Sequence, residues 1–417
     1  MAVGKFDLTA ASGVLKRQFD PHDAYKILTS ESAFLGQIKR ENGVLVGDDF
    51  EFSIQYGTPR GVSTSYAKAA AGASTSLYKK MKLTRGRIYG RGSIDRETMK
   101  VAQTNKQSFA NTLEREQDGV LLTMQERCSA WAFGNGGGSC GKIGEISGST
   151  ITLSNPNDHN YFQENGLYEI SATDGLTGAV RAGGTLTCSS VDRDTGIITL
   201  TAGVVATIGG AIVGDFVFPN GDHAAANADA YGARVIVGLD GWISTTAPDA
   251  TLFFGMDRSK DTTRLGGCRY SKSISAPIEE NIQAAVANFA NKGANKIDMC
   301  LMNGTRYQEL LISLGSKVVY SDSVNKDTGV GFTGVKIATP NGTLTVFGDR
   351  ACPTDRAYLL QKDTWSLLTM DEFPQLDEED GLSIRKALDG TDSYTWDYMG
   401  YAQIGCRMPG KNGVTLL

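Results

Sequence analysis

The sequence predicts an α+β chain that carries a small inserted β-barrel, and three observations make that prediction. Residues 104–133 repeat apolar side chains with the period of one long helix. Residues 138–222 break into short β-runs separated by turn signals, and the chain from residue 275 onward alternates helical and extended patterns. The composition agrees: fifty glycines but only ten prolines in 417 residues, without a collagen-like period, mark a chain rich in turns and strands. At 41% apolar residues there is ample material for buried cores, and a mixed-sign charged fraction of 21% excludes wholesale disorder.

Residues 1–49 read as an extended arm with one or two short helices, because Phe6, Leu8, Val14, Leu15 and Phe19 are sparse and unperiodic. Such a segment cannot build a core of its own. Phe50, Phe52, Ile54 and Tyr56 then alternate with Glu51, Ser53 and Gln55, the period of a half-buried strand. A Gly/Ser/Thr/Ala-rich stretch follows to Ser76, and Leu77 to Tyr89 is extended again, so residues 50–100 are expected to form a long hairpin with a flexible tip. That hairpin is basic. Between Arg60 and Lys100 ten Lys and Arg face two acids, a local net of +8 in a chain of net −5, which leaves −13 for the remainder.

In residues 101–137 the apolar positions Phe109, Leu113, Val120, Leu121, Met124, Cys128 and Trp131 recur at spacings of three, four and seven, one face of a helix. Thirty helical residues span about 45 Å, the length of a strut, and Gly134 to Gly138 ends it. The island at 138–222 holds β-runs at 143–146, 150–153, 167–171, 185–191, 197–201 and 215–218, with turns at Asn155-Pro156, Asp174-Gly175 and Asp192 to Gly196. Residues 223–274 are mixed. Beyond them Ile278, Ile282, Ala285, Val286 and Phe289 mark a helix with Pro277 at its start, a strand fits Ile297 to Leu301, and Asn303 caps a second helix that Gly315 closes. Asn341-Gly342 between two apolar runs signals a hairpin, and further strands fit Ala357 to Leu360 and Trp365 to Met370.

Several chemistries are poorly supplied. The seven cysteines are scattered, odd in number and never spaced C-x-x-C, which predicts buried thiols in a reducing compartment rather than a zinc ribbon or disulfide framework. The three histidines His22, His159 and His223 lie far apart in sequence. The run from Gly136 to Lys142 fits the spacing of a phosphate-binding loop and, with Gly136, Gly138 and Gly141, of a dinucleotide fingerprint. Ile143 stands where the loop needs a hydroxyl, and the order is helix then strand, the reverse of what places phosphate at a helix N-terminus. The acidic run Asp377, Glu378, Glu379, Asp380 reads as a solvated face, since acid–base chemistry needs two carboxyls in contrasting environments. No apolar run approaches the roughly 18 residues of a membrane span, and Met1 to Asp20 lacks the pattern of a signal peptide, so a soluble protein maturing in a cytoplasm is expected. No catalytic, cofactor or metal constellation emerges.

The order of the elements then carries the inference. Extended arm, long basic hairpin, long helix and terminal α+β domain resemble the major capsid protein of tailed bacteriophages, the Hong Kong 97-type fold. Short matches to that family are Gly238 to Ile243, Met302-Asn303 with Tyr307 and Leu310 after a strand, Asp349 to Pro353 leading to Arg356 to Leu360, and Gly405 to Val414. Gly304 departs from the proline that often follows the Met-Asn pair. The resemblance covers nearly the whole chain except 138–222, which looks like the insertion domain of some members.

The resemblance implies 1–49 as N-terminal arm, 50–100 as E-loop, 101–137 as the spine helix of the P-domain, and 138–222 as the inserted barrel. It makes 223–274 a continuation of the P-domain, 275–355 the A-domain, and 356–417 a return to the P-domain. It implies a non-enzymatic subunit that self-assembles as hexamers and pentamers of an icosahedral shell around double-stranded DNA, built in the host bacterial cytoplasm and resident in the virion, without cofactors or membrane contact. A separate scaffolding protein, a portal, a decoration protein and non-specific contact with the packaged DNA are the implied partners. Lys68, Lys79, Lys80 and Lys82 lie on the loop that carries an isopeptide cross-link in some members, but no motif singles one out.

Beside the resemblance stands a physical argument: an arm and a hairpin without cores are costly to order alone and become favourable when laid on neighbours. The basic residues Lys79, Lys80, Lys82, Arg85, Arg87 and Arg91 are therefore expected to meet an acidic surface on an adjacent copy, with Asp377, Glu378, Glu379 and Asp380 as the candidate. The alternatives are an encapsulin-like compartment shell and, from another class, a β-rich tail or carbohydrate-binding protein. The tyrosines Tyr66, Tyr78 and Tyr89 among the basic residues also leave nucleic-acid binding open.

Overall fold

The computed structural model describes residues 32–45, 47, 50–97, 106–227, 235–271, 276–315, 319–324, 331–378, 383–387 and 392–417. The expected arm and its helices before residue 32 lie outside them, as does His22. The first described element, α1 (Ala33–Gln37), is capped by Ser32, and all five of its residues are buried. The Phe34 ring meets Trp365 edge-on at 5.7 Å, and β1 (Lys39–Glu41) continues into a sheet. Residues 32–41 are thus built into the body, where the sequence predicted an arm with nothing to fold against. Five residues are too short to display a helical period, and the rings that meet Phe34, those of Phe133 and Trp365, lie far away in sequence.

The antiparallel strands β2 (Phe50–Gly57) and β3 (Leu77–Leu83) form a two-stranded ribbon. Its tip contains α2 (Tyr66–Ala71), with no buried residue, where only flexible chain was expected. The extended stretch 77–89 proves to be two strands in different sheets. After a turn at Thr84 and Arg85, β4 (Gly86–Asp95) leaves the ribbon and pairs over ten positions with a strand near the C-terminus, so Arg87 and Arg91 lie on the body and not on the hairpin.

Helix α3 (Lys106–Phe133) has 28 residues, about 42 Å at the usual rise. It buries Leu121, Met124, Cys128 and Trp131. Beyond it β5 (Gly141–Ser147), β6 (Thr150–Leu153), β7 (Leu167–Ser171), β8 (Leu186–Asp192), β9 (Ile197–Leu200) and β10 (Phe216–Pro219) close a barrel in the order β10-β5-β6-β9-β8-β7. Its interior is the inward half of each alternation, including Ile143, Ile151, Ile170, Leu186, Ile198 and Val217. The predicted runs match these strands because each alternates at period two and stops at a Gly or Asn/Asp turn.

The short pair β11 (Leu252–Phe253) and β12 (Met256–Asp257) and then β13 (Cys268–Ser271) lead to α4 (Ile278–Asn291), β14 (Met299–Met302) and α5 (Gly304–Leu314). Next come β15 (Val319–Val324), β16 (Gly331–Thr339), β17 (Gly342–Gly348), β18 (Arg356–Leu360) and β19 (Trp365–Thr369). The chain ends with β20 (Gln375–Leu376), β21 (Arg385–Lys386), β22 (Ser393–Cys406) and β23 (Gly413–Leu416). Two sheets organise these strands.

The first has seven strands in the order β13-β23-β18-β14-β17-β16-β15, with α4 and α5 burying Ile282, Val286, Phe289, Leu310 and Leu314 in a core shared with it. Three of its strands, β13, β18 and β23, come from outside 275–355. The second is built on β22, with β4 along one side and β21, β20 and β19 in series on the other, and β1 outside β19. Asn303 ties two of the short motifs together. Its side chain accepts from Thr305 N at 3.1 Å as the cap of α5 and donates to Cys352 O at 2.9 Å in the loop after β17.

Candidate assembly surfaces

The ribbon is fixed at its base and open at its tip. Backbone Lys82 N donates to Phe254 O at 3.0 Å, and Arg264 Nη1 donates to Tyr56 O at 2.7 Å. Ile54, Met81 and Leu83 are buried against the body. At the tip Val62 and Tyr66 are each 90% exposed, and Tyr78 stands out of β3. Apolar side chains held that far from any core find no cover within the protomer.

The predicted basic residues divide into groups. Lys80 and Lys82 both pair with Glu51 on the facing strand, the latter at 3.4 Å. Bonding to Lys80 is the main reason the Glu51 carboxyl sits below the ordinary carboxylate range. Lys79 precedes them in sequence on β3 and is half-buried. Arg85 directs a guanidinium N–H at the Met370 sulfur, 3.4 Å away. On β4 Arg87, Tyr89 and Arg91 alternate along one face, and Tyr89 Oη lies 3.2 Å from Tyr401 Oη.

Arg91 sits opposite Asp397 in the strand register and pairs with it at 3.2 Å. Arg385 then bridges Asp397 at 3.6 Å and Asp377 at 2.5 Å. Arg91 and Asp377, read from the sequence as contacts between copies, are therefore linked within one protomer. Glu378 is exposed beside them, while Glu379 and Asp380 lie outside the described residues. Charge density in the sequence marked Arg91 and Asp377; their partners Asp397 and Arg385 are single charges whose roles depend on register.

The glycine-rich run at 136–142 is a junction between helix and barrel. Gly138 has φ +93°, and a Cβ there would lie 2.0 Å from Asp222 O, so glycine serves the close approach of two backbones. All seven cysteines are buried without disulfides, and burial pushes Cys128 and Cys406 up to about 12. These thiols are packing residues rather than nucleophiles.

A group that sequence reasoning missed joins the arm base to the seven-stranded sheet. Asp349, only 2% exposed, accepts from Ser32 Oγ at 3.0 Å, Phe34 N at 3.4 Å and Ala351 N at 3.0 Å. Burial outweighs these donors and raises its carboxyl to about 6 from an ordinary 3.8. The folded state therefore binds a proton that the unfolded chain releases, and stability falls as pH rises from about 4 through 6. Moving from pH 7 to pH 5 is expected to contribute about 1 kcal/mol through this group alone. Asp349→Asn should reduce the pH slope of the urea midpoint of the dissociated chain by that amount. An unchanged slope would remove Asp349 from the account.

Comparison with known proteins accords with this architecture. A family model described as "SU10 major capsid protein" matches residues 216–388. No curated protein sequence matches the chain. Among solved structures, the cyanophage A-1(L) capsid asymmetric unit superposes with TM-score 0.50 at 11% identity, covering 92% of this chain and 91% of that one, which shows a shared fold. A satellite phage P4 procapsid including the size determination (Sid) protein matches with TM-score 0.41 at 9% identity, over 98% of this chain and 95% of that one. The capsid of a native GTA particle gives TM-score 0.42 at 9% identity, over 92% and 89%.

Proposed function

We propose that this chain is a major capsid protein of the tailed-bacteriophage type, a shell subunit with the Hong Kong 97-type fold and an inserted β-barrel, a reading supported by the family match over residues 216–388 and the fold shared with a cyanophage capsid. The ribbon and its tip act as the E-loop that reaches an adjacent copy within hexamers and pentamers. Residues 1–49 act as the N-terminal arm, 101–137 as the spine helix, 275–355 as the A-domain of the capsomer centre, and 223–274 with 356–417 as the P-domain around it. The observation that carries the reading is the ribbon tip, whose Val62 and Tyr66 stand in solvent on a two-stranded element too thin to cover them.

The basic flank of the ribbon, Lys79, Lys80, Lys82 and Arg85 continued by Arg87 on β4, then faces acidic surface on the neighbour, with Glu378, Glu379 and Asp380 as its candidate, Arg91 and Asp377 being paired within the protomer. The mildly acidic remainder of the chain suits a container in which packaged double-stranded DNA makes only non-specific contact. Assembly in the host bacterial cytoplasm with a separate scaffolding protein, a portal and a decoration protein completes the proposal. The role is structural, with no chemistry assigned to any side chain.

Charge reversal tests it. Lys79→Glu, Lys80→Glu and Lys82→Glu together should lower the yield of megadalton particles in sedimentation, with the larger deficit at low salt, where screening is least. Adding Glu51→Lys re-forms the pairs inside the ribbon without restoring its outward charge. Full recovery of assembly by that fourth change would mean the lysines act only within the ribbon and would end the proposal.

A further inference from the structure

His223 is a buried titratable group with no part in the surfaces described above. It leaves the barrel just after β10, is 0% exposed, and its ring lies 4.7 Å from that of Phe218. Both ring nitrogens are engaged. Nδ1 accepts from the backbone Ala226 N at 3.0 Å, and Nε2 lies 3.2 Å from Ser171 Oγ on β7. A backbone N–H is an obligate donor, so Nδ1 carries no proton and the ring is the neutral Nε2–H tautomer. The Ser171 hydroxyl gives its own proton to Ala179 O at 2.9 Å and is free to accept from Nε2–H. The proton order runs one way, from the Ala226 amide through the imidazole and the hydroxyl to the Ala179 carbonyl.

The segment that His223 holds is the return connection of the barrel. Ala224 N donates to Gly137 O on the outgoing connection at 3.0 Å, and Ala225 N donates to Gly175 O on a barrel loop at 2.9 Å. Residues 223–227 therefore lie between both ends of the insertion. We propose that His223 is a proton-operated lock on this connection: protonation turns the Nδ1 acceptor into a donor aimed at the Ala226 N–H, and acidification frees residues 223–227 from the barrel base while the strands stay folded.

The charged groups facing the ring are Glu169 on β7 and Asp174 in the following loop, and both favour the imidazolium. Burial acts against them and prevails, lowering the pKa of the ring below 6.5. Adjacent Asp222 is paired with Arg127 on α3, and burial raises its carboxyl to about 6. Its titration acts in the opposite sense, because the folded state holds its proton more tightly. For a histidine kept neutral by the fold, the contribution to stability is complete above the unfolded value near 6.5 and is lost as pH falls through it.

Hydrogen exchange on assembled particles of the full chain tests the lock. Between pH 7.5 and 5.5, after correction for intrinsic exchange, protection of a peptide spanning 223–227 should fall, by at most roughly tenfold, the ratio of protonated to neutral histidine gained in the open form. Strands β5 and β6 should keep theirs. His223→Asn retains an acceptor for Ala226 N–H that does not titrate, and its protection should change less than twofold while Asp222 and Arg127 remain. Constant protection in the wild type, or an equal fall in H223N, would overturn the proposal. Should H223N fail to fold, exchange of the histidine C2 proton in the wild type decides: His223 must titrate below the ordinary histidine value near 6.5, and titration at or above it refutes the lock.

Discussion

Asn412→Ala is expected to destabilise the dissociated chain by about 4 kcal/mol, because one fully buried amide satisfies the chain in several places at once. Asn412 Oδ1 accepts from Gln361 N at 2.7 Å and from Trp365 Nε1 at 2.9 Å. Its Nδ2 donates to Met408 O at 2.9 Å and to Thr364 Oγ1 at 3.0 Å. Alanine removes the amide and strands the Gln361 N–H and Trp365 Nε1–H donors, each at about 1–3 kcal/mol, while Met408 O keeps the N–H of Lys411. The measurement is the urea midpoint and slope of the dissociated chain. A loss under 1 kcal/mol would mean that solvent reaches these groups and that the hub is not closed. The same side chain ties the segment before β23 to the start of β19, so it joins the two sheets, and particle yield should fall with chain stability.

Gly238→Ala should cost about 3 kcal/mol by a different route, overpacking against backbone. Gly238 is extended, so the substitution brings no left-handed strain. Its added Cβ would lie 2.1 Å from Trp131 O and 2.4 Å from the Ala132 carbonyl, both at the C-terminal end of α3. Those atoms belong to a helix end whose Trp131 and Phe133 side chains are buried, so they cannot step aside as a flexible side chain would. The approach also lets Gly238 N donate to Gly134 O at 3.1 Å and sets Trp242 with its Nε1 3.1 Å from Ile404 O. Thermal unfolding followed by tryptophan fluorescence reports the change, since Trp242 and Trp365 stack edge-on at 6.2 Å. A melting temperature unchanged by the alanine would show that the helix end yields and that the motif has another cause.

Both residues lie in short motifs that the sequence made visible without explaining. Gly238 to Ile243 and Gly405 to Val414 could be matched to a family, yet neither reveals from its own letters that one is a close approach of backbones and the other a buried hydrogen-bond hub. The barrel was legible strand by strand because each strand alternates and each turn has its Gly, Asn or Asp. Helix α3 was legible because its period persists over many turns. By contrast, β22 was missed: its sequence from Ser393 to Cys406 mixes polar and apolar residues without a clean period, since different stretches of it pair with β4, β21, β20 and β19. The candidate site was legible only as charge. Density of lysine and arginine pointed to the ribbon, but strand register decided that Arg91 faces Asp397 and that Lys80 and Lys82 face Glu51.

By itself, then, the sequence determined the elements whose signal is local: the long helix, the six barrel strands, the two helices after residue 275, and an order of elements that resembles a shell protein. Only the tertiary structure decided what joins distant positions. It placed α1 against Trp365, sent β4 to β22 instead of the ribbon, buried Asp349 over the arm base, and set His223 between Ala226 and Ser171. The reason is physical: periodicity and turn chemistry act between neighbours along the chain, whereas a buried carboxyl, a cross-strand ion pair or an engaged imidazole takes its meaning from groups that folding alone brings within hydrogen-bond reach.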